Sequence, residues 1–158
     1  MSCAYQIWVS CNFSLKGNSI AMKSKRKSRR ATVIVSNDQG ILLTRMKGDS
    51  RWMLPGGYPE RYETRETAAK RELYEETSLV SLTCNFLFEF ESSTRYHKVF
   101  LIHAQGDWKP SMEIEALGVY KDGNICCLTT EQRISEAFLY KSSREIIDRF
   151  ARMNEIPE

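Results

Sequence analysis

Residues 57–79, GYPERYETRETAAKRELYEETSL, constrain this chain more than any other stretch. Glu63 follows Gly57 by six residues, and eight residues later begins Arg71-Glu72-Leu73-Tyr74-Glu75-Glu76. Residues 64–77 are rich in strong helix formers and contain no Gly or Pro, which predicts a helix there. In a helix, residues three and four apart share a face, so Glu72, Glu75 and Glu76 point the same way. Three carboxylates on one face repel each other unless something cationic sits among them. Hard divalent cations take oxygen ligands, and Mg²⁺ in particular is held by a few carboxylates together with substrate phosphates and water. The cluster therefore reads as a metal platform. The plainer alternative is a solvated helix face with Arg65, Lys70 and Arg71 as partners. The preceding Leu54-Pro55-Gly56-Gly57 and the placement of Glu63 weigh against it. Gly56-Gly57 after Pro55 gives the chain the freedom for a tight turn ahead of the helix.

This arrangement resembles the Nudix box, the signature of the Nudix hydrolases, written G-x5-E-x7-R-E-U-x-E-E-x-G-U with U an aliphatic residue. Gly57, Glu63, Arg71, Glu72, Leu73, Glu75, Glu76 and Leu79 fit, and Ser78 stands where the family has glycine. Serine in the left-handed conformation expected at that position costs on the order of 1 kcal/mol, but it removes no ligand and no charge. The resemblance implies an α/β chain with the Nudix fold, an α/β/α sandwich around a mixed sheet, in which the box forms a catalytic loop-helix-loop. It implies that Glu72, Glu75 and Glu76 are the main metal ligands and that Gly57 is a further contact to metal and substrate. Glu63 supports the site and Arg71 orients the carboxylates. The implied cofactor is Mg²⁺, with Mn²⁺ as the alternative. The implied reaction is hydrolysis of a nucleoside diphosphate linked to another moiety. Water attacks phosphorus, and metal ions neutralise charge on the bridging and leaving oxygens. The base is either a box glutamate or a carboxylate on a downstream loop.

Outside the box the likeness is one of pattern, over residues 31–150. Glu113 and Glu115 lie on SMEIEALGVY, which resembles a downstream element of the family. Glu113 is a candidate extra ligand or base; a pair of solvent-facing strand carboxylates is the alternative. Arg45, Trp52 and Tyr96 are candidate contacts for a substrate base or phosphate, because Arg matches phosphate geometry and aromatic rings stack on bases. For Trp52, core burial is the preferred reading.

A chain of 158 residues with 42% hydrophobic content fits one domain with a real core. Its charge is unevenly spread. The first 37 residues hold no acid and seven of the 23 basic residues, which leaves 16 basic against 20 acidic from Asp38 onward. Residues 1–30 therefore read as a basic arm and residues 31–158 as the domain. The run KSKRKSRR at 23–30 is expected to be a flexible, solvated lead-in, with docking to RNA or a targeting role as the alternatives. Residues 3–15 lack the upstream positive region of a secretory signal, and a functional start at Met22 is a further expectation. The five cysteines, Cys3, Cys11, Cys84, Cys126 and Cys127, are odd in number and form no C-x-x-C pair. Free thiols in a reducing compartment, hence a cytoplasmic protein, are the preferred reading. No apolar run reaches the roughly 18 residues that a membrane span needs. The expected partner is a small nucleoside diphosphate derivative, and the expected assembly is a monomer or homodimer.

Residues 31–36 read as a buried strand, 37–40 as a turn and 41–45 as its hairpin partner. Strands are expected over 79–90, 99–103 and 114–120, and helices over 131–138 and 142–153. Three functions compete: a pyrophosphohydrolase, a catalytically weak module that binds nucleotide or RNA, and an enzyme of the same chemistry acting on RNA 5′ ends. Every box glutamate is present, which favours the enzyme; only the basic run favours RNA.

Overall fold

The computed structural model describes residues 26–155. Two sheets and two helices make up the fold. Strands β1 (Ser28–Ile34), β4 (Gly56–Gly57), β5 (Val80–Glu91) and β6 (Arg95–Gln105) form a mixed sheet in the order β4-β1-β6-β5. In it β1 runs parallel to β6, and the other pairs are antiparallel. Strands β2 (Ser36–Asn37), β3 (Gly40–Met46), β7 (Ile114–Lys121), β8 (Asn124–Cys127) and β9 (Arg133–Ser135) form an antiparallel sheet in that order. Helix α1 spans Arg65–Thr77 and α2 spans Lys141–Asn154.

Side-chain alternation along the strands divides the core in two. Ala31, Val33 and Val35 pack with Ala68, Ala69 and Leu73 of α1, together with Phe100 and Ile102 of β6. Ile34, Leu43, Trp52, Leu54 and Val99 pack with Ile146, Ile147 and Phe150 of α2. Each helix thus covers one side of a strand layer, which makes an α/β/α sandwich. Helix α2 is the one expected over 142–153.

Three expectations differ from the structure. The hairpin over 31–45 exists only at its tip, where Ser36 pairs with Ile41 and Asn37 with Gly40. Beyond the tip the two strands part: β1 joins β6 and β4, and β3 joins β7. Both strands are apolar on both faces, so each is buried inside the layer and takes different neighbours. Residues 131–138 form no α-helix. They give β9, where Ile134 pairs with Ile125, and then a single 3₁₀ turn over Glu136–Phe138, where Ser135 Oγ accepts from the Ala137 N–H at 3.2 Å. Period-two pairing with β8, a strand the sequence did not announce, overrides local helix preference. Finally, β1 begins at Ser28, three residues before the expected start. Arg29 pairs with Tyr96 and Arg30 with His97, so the end of the basic run is part of the sheet. The expectations for residues 1–25, including the start at Met22, most of the basic arm, Cys3 and Cys11, lie outside the described residues. Among the described residues no helix is long and apolar enough to cross a membrane.

Candidate active site

Helix α1 starts where Thr64 accepts a hydrogen bond from the Thr67 N–H at 3.1 Å. It ends where Ser78 turns left-handed, at φ 63°, with its N–H on the Tyr74 carbonyl at 2.8 Å. The buried residues Ala68, Ala69, Leu73 and Thr77 fix the rotation of the helix against the sheet. That rotation brings Glu72, Glu75 and Glu76 to one opening, which Ser111, Met112 and Glu113 complete. The loop before β7 is held there by the Lys109 and Ser111 N–H groups, which bond the Thr77 and Glu76 carbonyls at 2.9 and 3.2 Å.

Arg71 organises the carboxylates. Its guanidinium takes both oxygens of Glu63, at 3.0 and 2.9 Å, and reaches Glu72 at 3.0 Å, Glu75 at 2.9 Å and the Tyr58 carbonyl at 3.1 Å. The Glu63 bond first, then the other carboxylates, raises its already high pKa. Glu63, held by Arg71 and by the Glu60 N–H, lies below the usual carboxylate range. Gly57 packs against the Glu72 carboxylate, which occupies the space a β-carbon would need. Gly56 sits at φ 137° in the short pairing with β1 and donates its N–H to Glu76 at 3.1 Å.

Glu76 is half-buried. Burial pushes its pKa up to about 7; the Arg30 charge and the Gly56 N–H oppose the rise, while Glu72 and Glu113 add to it. A divalent cation at this opening would offset that crowding, and the available donors are all hard carboxylate oxygens. As the side chains stand, no three of them converge on one point among the described residues. Glu72 and Glu75 both turn to the same Arg71 nitrogen. The donor set fits a divalent metal, and swinging these two carboxylates away from Arg71 is what binding requires.

The structure brings Gly57, Glu63, Arg71, Glu72, Glu75, Glu76 and Glu113 together, and leaves the other candidates apart. Trp52 is 1% exposed in the α2-side core, so no ring face is open to a base. Arg45 lies 5.5 Å above that ring and pairs with Glu115 at 3.5 Å. Tyr96 is exposed on β6, with Lys27 Nζ 5.6 Å from its ring centroid. None of the three lines the carboxylate opening. The sequence reading passed over Arg30, whose charge reaches Glu76 and Glu72. Strand parity could have found it: Arg30 stands two residues before Thr32 and four before Ile34, on their face of β1.

The NUDIX domain family matches residues 26–147 of the chain. No curated protein matches. Among solved structures, a nudix hydrolase family member from Chromobacterium violaceum is 34% identical, with 84% of this chain and 82% of that one covered at a TM-score of 0.69. A NUDIX hydrolase from Nitrosomonas europaea is 18% identical, with coverage of 84% and 76% and a TM-score of 0.66. A MutT NUDIX hydrolase from Burkholderia pseudomallei is 19% identical, with coverage of 78% and 98% and a TM-score of 0.59. The last two speak to the fold alone.

Proposed function

The chain belongs to the NUDIX domain family, whose members hydrolyse pyrophosphate bonds in nucleoside diphosphate derivatives, and from that premise we propose a Mg²⁺-dependent pyrophosphohydrolase centred on Glu72, Glu75, Glu76 and Glu113. The observation that supports it is the meeting of these four carboxylates at one opening, beside an arginine that fixes three of the box glutamates. Glu72, Glu75 and Glu76, with the Gly57 backbone, would hold the ion, and Mn²⁺ would suit the same oxygen donors. Bound there, the cation supplies positive charge against the negative charge that builds on the phosphate oxygens.

The protein's own residues do the rest. Arg71, itself fixed by both oxygens of Glu63, keeps Glu72 and Glu75 beside the opening, where an entering cation would draw them off it. Glu113 stands at the rim with no ion pair among the described residues and takes the proton from the attacking water. Burial favours the protonated form of Glu76, and positive charge entering the site would favour its ionisation. Among the described residues Cys84, Cys126 and Cys127 form no disulfide, in keeping with action in the reducing cytoplasm.

The test is a panel of nucleoside triphosphates, ADP-ribose, dinucleoside polyphosphates and sugar nucleotides, incubated with Mg²⁺ or Mn²⁺ and read by release of phosphate or pyrophosphate. At least one class should be cleaved, and a chelator should abolish the cleavage. Turnover that is indifferent to the chelator would sink the metal assignment.

A further inference from the structure

A strand at the edge of a sheet has one free side, and the main-chain N–H and C=O groups along it can pair with another strand. Among the described residues β4, β5, β2 and β9 stand at edges. Three of them are short: β4 and β2 have two residues each and β9 has three. Strand β5 has twelve, and among the described residues only β6 pairs with it.

Long edges are ordinarily blunted by charge or by Pro. The stretch Val80–Phe88, VSLTCNFLF, has no charged residue, no Gly and no Pro. At about 3.4 Å per residue it offers roughly 30 Å of uncharged edge. Its large side chains are open to water: Val80 is 49% exposed, Leu82 58% and Phe86 53%. Leu82 belongs to neither core cluster, and Phe86 meets Phe100 edge-on with ring centroids 6.2 Å apart. The register against β6 shifts at Leu82 and at Leu87, but Thr83–Phe86 between them pairs regularly.

The surroundings of this strip decide what fits it. Helix α1 borders it with Glu66 and Lys70, which pair at 2.7 Å beside Cys84, and with Arg65, which pairs with Glu89 at 3.1 Å. Lys98 Nζ lies 5.0 Å from the Phe86 ring centroid. An apolar centre with a polar rim is the anatomy of an interface. The rim's charges are of mixed sign and mostly paired with each other. A strongly acidic or basic peptide therefore finds no complement here, while a second copy of the same face meets no strong repulsion. The sequence of the strand also suits its own copy. Set antiparallel about Cys84, Val80 comes opposite Phe88 and Leu82 opposite Phe86. Each Glu89 then falls beyond the uncharged stretch, far from the other copy's Glu89.

We propose that β5 pairs antiparallel with β5 of a second copy of this chain, across a two-fold axis near Cys84. The two four-stranded sheets then form one continuous sheet. The assembly closes at two copies, because the pairing uses the long edge of each.

Sedimentation equilibrium of the full chain over a concentration series, with amide hydrogen exchange on the same samples, tests this. The mass should rise from 18.3 kDa to about twice that and stop. The amides of residues 81–87 should exchange at least about tenfold more slowly at the concentrated end than at the dilute end. Leu82→Lys should weaken association at least about tenfold and leave the circular dichroism spectrum unchanged. Phe86→Lys should do the same; should loss of the Phe100 contact unfold it, Leu82→Lys carries the test alone. A chain that stays at 18.3 kDa up to its solubility limit would overturn the proposal and leave the edge to a partner of other sequence. A dimer whose 81–87 amides exchange at an unchanged rate, or one that Leu82→Lys leaves intact, has its interface elsewhere and would overturn it too. Mass that keeps growing past two copies would also overturn it, as the mark of unspecific aggregation.

Discussion

Gly57 lies directly against the Glu72 carboxylate, with no space between them for a β-carbon. A proposed metal ligand is therefore positioned by the absence of a side chain fifteen positions earlier, where the β4–β1 pairing holds the backbone in place. Gly57→Ala should push Glu72 aside and lower kcat by roughly 10²-fold, the scale of a 1 Å misplacement. The obstacle is the mobile end of a glutamate, so the melting temperature should change little. Full kcat in the alanine variant would show that Glu72 works equally well from another position.

His97 gives the protein a pH-dependent element of stability. Burial first, then the Arg30 and Arg95 charges, lower its pKa from 6.5 to about 4. The unfolded chain takes up a proton below about 6.5, while the folded one resists until about 4. The resulting stability is fully present above pH 6.5 and is lost as the pH falls from there towards 4. Urea denaturation at pH 7.5 and 4.5 should show a larger drop for the wild type than for His97→Gln. Equal drops would mean that His97 is not held neutral.

Ser78→Gly should be neutral or stabilising by at most about 1 kcal/mol. Glycine accepts φ 63° without strain, and the serine hydroxyl makes only a long bond of 3.4 Å to the Lys109 carbonyl. Thermal denaturation decides this. A clear loss of stability would show that the loop to Lys109 depends on that hydroxyl.

Removal of residues 1–25 should leave a folded, active domain, since β1 begins at Ser28. Removal of residues 1–30 should not. It takes Lys27, which bonds Glu91 at 2.6 Å and the Ser92 carbonyl at 2.8 Å, together with three strand residues, Ser28, Arg29 and Arg30. The longer truncation should melt roughly 5 °C or more below the shorter. Equal melting temperatures would return Ser28–Arg30 to the role of a solvated lead-in.

The contrast between those truncations shows what the sequence made legible. Helix α1 and the spacing from Gly57 to Glu76 could be read because they are local: one turn and one helical face account for them. The path of β1 could not. Charge alone made Arg29 and Arg30 look solvated, yet parallel pairing sets Arg30 beside His97, 67 positions further on. No local pattern announces such a register. The same limit explains the hairpin that forms only at its tip, and residues 133–135, whose strand character depends on pairing with β8. Trp52 is a candidate substrate contact in the sequence with core burial as its preferred reading, and its 1% exposure agrees with the latter.

The central claim is that the α1 carboxylates perform hydrolysis, and Glu76→Gln tests it most directly. The substitution keeps an acceptor for the Gly56 N–H while removing the negative charge. With the best substrate of the panel and saturating Mg²⁺, kcat should fall by roughly 10²–10⁴-fold, and the melting temperature should hold or rise, because a buried and crowded charge is gone. A folded Glu76→Gln protein that turns over at the wild-type rate would contradict the account.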